Sequence, residues 1–144
     1  MRINGRWVLC DDDIVRPVIR GEVLADAGSW QSVEFLVDTG ADRTVLSALT
    51  LEGLHLQPSV TQDHLGGVGG IADSVVVETR IRFSRETGSK VIFRGQYAAF
   101  TQLESLDISV LGRDITGLFA VIVDRPDNVV CLLGQRHRDT IEQN

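Results

Sequence analysis

Phe35-Leu36-Val37-Asp38-Thr39-Gly40-Ala41-Asp42 is the stretch on which the reading of this 144-residue chain turns. Three consecutive apolar residues, 35 to 37, read as a buried strand, because a short apolar run bounded by turn residues suits a sheet interior. A carboxylate at the end of that strand, followed at once by a hydroxyl and a glycine, reads as a loop that projects the carboxylate. Asp38 is therefore the candidate working group, and the strand is its mount.

The flanking sequence is dominated by strand patterns. Residues 15–24 and 30–37 are β-rich and surround Ala25-Asp26-Ala27-Gly28-Ser29, whose composition suits a hairpin turn. Pro17 is expected at an edge or a strand start. Residues 47–53 predict a short helix, with Ser47 as cap and Gly53 as stop. Four glycines then surround one valine in Gly66-Gly67-Val68-Gly69-Gly70, a density that cannot pack a core but suits a hairpin tip. Strands are predicted over 74–84 and 90–100 about the turn Glu86-Thr87-Gly88-Ser89. A linker over 101–107 leads to an apolar strand ended by Gly112. A short helical turn is expected beyond it. The runs 120–124 and 129–133 flank Arg125-Pro126-Asp127-Asn128, a strong turn signal, and predict a last hairpin. The expectation is an all-β chain with one short helix.

A chain of this length forms one domain, 1–144, that buries roughly 70% of its unfolded surface, with a polar tail over 134–144. Cys10 and Cys131 are distant and belong to no C-x-x-C pattern, so they read as small buried residues, neither a bridge nor a zinc site. A net charge of -6 and scattered arginines argue against nucleic acid. The first ten residues are broken by Gly5 and Arg6 and followed by three aspartates, which is wrong for a signal peptide, and no apolar run approaches membrane-spanning length. A soluble, cytoplasmic protein is expected. Asp11 to Asp13 read as a solvated loop, since adjacent carboxylates point in different directions. His55, His64 and His137 have no metal-ligand spacing, and the glycine run lacks the G-K-[ST] ending of a phosphate loop. No metal or cofactor is expected.

Three motifs together carry a resemblance. Asp38-Thr39-Gly40-Ala41-Asp42, with Thr44-Val45-Leu46 following, resembles the active-site loop of the retropepsin-like aspartic peptidases. Val110-Leu111-Gly112-Arg113-Asp114 resembles that family's second signature, and the glycine run resembles the flap tip of its retroviral members. They occur in the family's order, with Gly112 lying 74 positions after Asp38 (112 minus 38), and the resemblance spans about residues 14–133. It implies a closed-barrel-like acid-protease fold, a homodimer, and an aspartic endopeptidase acting on polypeptides.

Peptide hydrolysis without a metal or covalent nucleophile needs a water activated by a base and a carbonyl protonated by an acid. Two carboxylates about 3 Å apart do both by sharing one proton, a pattern known for aspartic peptidases as a class and taken here from the resemblance. This chain has one Asp-Thr-Gly; Asp26-Ala27-Gly28 lacks the hydroxyl and falls in a predicted turn. The resemblance therefore implies that a second Asp38 comes from an identical chain across a two-fold axis.

Other roles follow from the same source. In the active-site loop of Thr39, Gly40 and Ala41, the Thr39 hydroxyl would bond across the axis and the Gly40 backbone would donate to the carboxylate. Asp42 and Arg113 would form a buried, bidentate ion pair. Gly67, Val68 and Gly69 would form the flap over an extended substrate, with apolar pockets lined by residues such as Leu36, Val68 and Ile71. Arg43 stands where retroviral members often carry an acid. A hairpin over 119–133 is more like the cellular DNA-damage-inducible shuttle-type proteases. It is expected to form much of the dimer interface, since an open apolar edge invites pairing. The alternative is a binding or dimerisation module that keeps the fold and hydrolyses nothing; a metallohydrolase using Asp11 to Asp13 would instead lose activity in chelator.

Overall fold

The computed structural model describes residues 1–67, 70–103 and 107–134, those of 60–67 and 70–73 by their backbone alone. Val68 and Gly69 of the expected flap tip, and tail residues 135–144, lie outside the described residues. In chain order the elements are β1 (Arg2–Asn4), β2 (Arg6–Leu9), β3 (Val15–Leu24), β4 (Trp30–Val37), β5 (Val45–Leu46) and α1 (Ala48–Leu54). The long hairpin of β6 (Ser59–Gly67) and β7 (Gly70–Ser84) follows, then β8 (Lys90–Phe100) and β9 (Ser109–Leu111). The single-turn helix α2 (Arg113–Thr116) leads to a last hairpin, β10 (Ala120–Asp124) and β11 (Val129–Leu133).

Six strands close on themselves. Pairing runs β3-β4-β9-β5-β8-β7, and β7 returns to β3 through Glu22 opposite Arg82 and Val23 opposite Ile81. β2 extends the sheet beyond β3, and β6 extends it beyond β7. Closure leaves the barrel strands no open edge, which permits a near-continuous apolar interior. Phe35, Phe83, Ile19, Ile81, Leu46 and Leu111 are almost completely buried there, each worth roughly 1.5–3 kcal/mol in removed apolar surface. An edge-to-face series links Phe35 to Phe83 (5.8 Å), Phe83 to Phe93 (6.1 Å) and Phe93 to Phe119 (6.0 Å). It carries packing from the mount of Asp38 to the start of the last hairpin.

The all-β architecture and closed barrel agree with the sequence; two local details differ. The first ten residues, outside the span of the motif resemblance, supply two strands: Ile3 is buried, and Gly5 N–H donates to Val130 O at 2.7 Å. The short helical turn expected beyond Gly112 is present as α2. α1 has its expected Ser47 cap but ends at His55 in the left-handed region (φ 52°), not at Gly53. Gly53, exposed, lies inside the helix, one residue before its last.

On the outer barrel wall, Arg82 stacks 4.0 Å from the centre of the Trp30 ring and donates to Glu22 from Nε and Nη2, both at 3.1 Å. Lys90 Nζ reaches the same carboxylate at 3.1 Å. Hydrogen bonding from Arg82, then from Lys90, holds the Glu22 carboxyl below its ordinary range. A depressed folded-state value stabilises above the unfolded pKa and is lost as pH falls through the folded one. Glu22→Gln is therefore expected to lower the melting temperature at neutral pH by a few degrees at most, and the difference should close on acidification, as paired thermal melts can check.

The second sheet, β1-β11-β10, joins the first strand to the last two. Its β1 edge is engaged: Arg2 N–H donates to Glu86 Oε2 (2.7 Å) and Arg2 O accepts from Glu86 N–H (2.9 Å). The outer edge of β10 has no strand beside it among the described residues, and Ile122 and Val123 there are 36% and 43% exposed. Trp7 Nε1–H donates to Asp124 O at 3.1 Å, docking this hairpin on the barrel.

Candidate active site

The site grows out of a topological necessity. β9 lies between β4 and β5, with Leu111 opposite Val37 and Val110 opposite Val45. The segment joining β4 to β5, residues 38–44, must therefore cross the end of β9. Asp38 N–H donates to Leu111 O (3.2 Å) and Arg113 N–H donates to Ala41 O (2.8 Å), so the crossing segment is tied to β9 and α2 through backbone. At the crossing Gly112 leaves no room for a side chain: a Cβ would lie 2.2 Å from the Arg43 carbonyl carbon and 2.3 Å from its oxygen.

Within this loop Ala41 N–H donates to Asp38 O (3.2 Å), closing a turn. Gly40 N–H donates to Asp38 Oδ1 at 3.0 Å. Asp38 is half-buried, and Thr39 and Gly40 are exposed. One carboxylate oxygen is thus oriented by backbone while Oδ2 has no partner among the described residues. A carboxylate so held can take a proton from water or share one with a second acid.

The base of the loop is fixed by two residues to which the sequence assigned no role. Thr44 is fully buried; its N–H reaches both oxygens of Asp114 at 2.9 and 3.0 Å, and its hydroxyl donates to Asp114 Oδ1 at 2.6 Å. The same hydroxyl accepts from Gly112 N–H at 3.1 Å, and Ile115 N–H also donates to Asp114 Oδ1, at 2.9 Å. Both residues stand inside the recognised motifs. The available signal was a hydroxyl heading the apolar run Thr44-Val45-Leu46, which once buried needs a partner.

Asp42 and Arg113 do meet, through one Nη2 to Oδ1 contact, but their side chains are 81% and 55% exposed in the single chain. The buried, bidentate pair implied by the resemblance is not what this protomer contains, because the loop tip stands at its surface. Exposed pairs contribute little. Asp38 to Asp42 and Arg113 thus gather at one crossing. Gly67 is placed elsewhere, at the end of β6 opposite Gly70; Val68 and Gly69, between them, lie outside the described residues. Leu36 is half-buried.

Tyr97 is the one tyrosine of the chain. Burial, helped by the charge of Asp114, pushes it up to about 12, and its hydroxyl donates to Phe93 O at 3.1 Å. It stays neutral at ordinary pH and acts as core, without proton chemistry. In the β2–β3 turn, both oxygens of Asp12 are taken by Arg16 at 2.7 Å, so this carboxylate does not turn toward Asp11 and Asp13. Among the described residues no group of three or more His, Cys, Asp or Glu side chains could hold a metal, and both thiols are free.

Comparison with known proteins gives matches to this geometry. The model of a family described as aspartyl protease matches residues 21–115. Among solved structures, the chain is similar to a retropepsin-like aspartic protease from Rickettsia conorii, with a TM-score of 0.58, 18% identity, and 92% of this chain and 90% of that one covered. It is also similar to EIAV protease complexed with the inhibitor HBY-793, with a TM-score of 0.49, 23% identity, and 71% and 86% covered. No curated protein matches. The likeness to the Rickettsia structure is one of fold.

Proposed function

This chain belongs to the aspartyl protease family, and from that premise we propose that two copies of it form an endopeptidase in which their Asp38 carboxylates activate a water between them. One observation carries the proposal: the chain has a single Asp-Thr-Gly, and its Asp38 stands half-buried at the loop crossing with one oxygen oriented by Gly40 N–H. A lone carboxylate can accept a proton but cannot also protonate the substrate carbonyl. A second copy related by a two-fold axis supplies the missing acid, and like charges about 3 Å apart then retain one proton between them. Thr39 bonds to the partner's loop, Gly40 orients the carboxylate and Ala41 closes the turn. Gly67, Val68 and Gly69 cover an extended polypeptide that pairs along its backbone.

The edge of β10, which has no strand beside it among the described residues and carries the exposed Ile122 and Val123, supports this hairpin as the meeting surface, and the engaged β1 edge leaves it the better of the two. Ile122→Asp is expected to leave the protomer folded while weakening self-association at least about 10-fold, a size usual for a central interface residue. Sedimentation and specific activity should fall together as protein is diluted.

The deciding experiment incubates purified chain with an unfolded polypeptide in acid and at neutral pH, with and without a statine-type transition-state mimic. Cleavage favoured by acid and blocked by the mimic supports the proposal. A dimer that neither cleaves nor binds the mimic would instead be a retropepsin-fold dimerisation module.

A further inference from the structure

Asp114 accepts four hydrogen bonds and offers none: two from Thr44 N–H shared between its oxygens, one from the Thr44 hydroxyl, and one from Ile115 N–H. Three of these contacts fall on Oδ1, and Oδ2 takes only the shared Thr44 N–H, so Oδ1 is the atom through which the exposed Asp114 holds the loop. Thr44 is fully buried, so its N–H and hydroxyl have Asp114 in place of water. The hydroxyl is also a relay, accepting from Gly112 N–H at the point where residues 38–44 cross the end of β9.

Besides the exposed Asp42–Arg113 contact, three ties hold that crossing segment. At its start Asp38 N–H meets Leu111 O, and in its middle Ala41 O meets Arg113 N–H. Its end is held through Thr44 by Asp114 and Gly112. The first two are backbone bonds that any sequence could make. The third is the tie made through a buried side chain, that of Thr44, whereas the Asp42–Arg113 contact is exposed.

We propose that Asp114 is a positioning residue for Asp38, acting through Thr44 to hold the loop at the height that presents the carboxylate to its twin. This rests on the proposed dimeric peptidase for its kinetic consequence, though not for its geometric one. Release of the third tie lets the segment rise from β9. A displacement near 1 Å between reacting groups costs on the order of 100-fold in rate.

The test uses the full chain at concentrations above its dimerisation midpoint. Asp114→Asn retains the shape and three of the four acceptor contacts, whereas Asp114→Ala retains none. Expected kcat order is wild type, then Asn, then Ala, with Ala down roughly 10- to 100-fold and KM within about 2-fold. Thr44→Val should mimic Asp114→Ala, Thr44→Ser should restore activity, and the double variant Asp114→Ala/Thr44→Val should be no worse than either alone, because both cut one tie. Additive losses, or a change confined to KM, would overturn the proposal. A second readout is independent of catalysis: amide exchange of Gly40, Ala41 and Thr44 should quicken in Asp114→Ala while amides of β3 and β7 stay protected. If the wild type cleaves nothing, exchange still decides the matter, and unchanged protection of the loop refutes the positioning role.

Discussion

Asp38→Asn is expected to abolish the proposed peptide hydrolysis and to leave the fold intact. The amide has the volume of the carboxylate and keeps an oxygen for Gly40 N–H, so the 3.0 Å contact that orients Asp38 can persist. What it loses is basicity. An amide cannot take the proton of an attacking water, and two amides facing each other cannot hold the shared proton that a pair of carboxylates holds. General acid–base chemistry of this kind contributes about 100- to 10,000-fold. In the proposed dimer the same residue would supply both roles, so the expected loss is at least about 1,000-fold. Cleavage of an unfolded polypeptide, followed alongside a thermal melt, reads both parts of the prediction. Hydrolysis undiminished in Asp38→Asn would sink the assignment of Asp38 and with it the proposed mechanism.

Gly112→Ala is the larger structural perturbation. The added methyl carbon would sit 2.2 and 2.3 Å from the carbonyl carbon and oxygen of Arg43, which are backbone atoms with no rotamer to change. Either β9 or the segment carrying Asp38 must move, and the tie from Gly112 N–H to Thr44 moves with it. Overpacking against backbone costs about 3 kcal/mol or more, which corresponds to a fall of roughly 10 °C in melting temperature. Gly28→Ala provides the comparison. That residue has φ +87° and no atom within 4 Å of an added Cβ, so it suffers conformational strain without collision; about 1–2 kcal/mol is expected. A Gly112→Ala chain as stable as wild type would mean that residues 38–44 do not cross β9 as described.

Much of the fold was legible because it is local. The hairpin at residues 25–29, the strands on either side of it and the last hairpin about Arg125-Pro126-Asp127-Asn128 are written in neighbouring residues. They appear at the boundaries that turn chemistry and apolar runs predict. The Ser47 cap of α1 was equally readable. Its end was not, because the left-handed residue that stops the helix is His55, a residue with a side chain, and not the glycine two positions earlier. The N-terminal strands escaped notice for another reason: β1 is three residues long and is held in place by β11, at the far end of the chain.

The candidate site divides along the same line. A strand ending in Asp-Thr-Gly, and a second motif ending in Gly-Arg-Asp, are contiguous patterns, and contiguous patterns carry the family and the acid that defines it. That Gly112 must be glycine because another part of the backbone passes over it, and that Asp114 serves Thr44 seventy residues away, arise only when the chain has closed into a barrel. Side chains and turns declare themselves through short-range sterics and hydrogen bonding. The height at which a catalytic carboxylate is held depends on contacts between segments that the linear order keeps apart, and only packing brings them together.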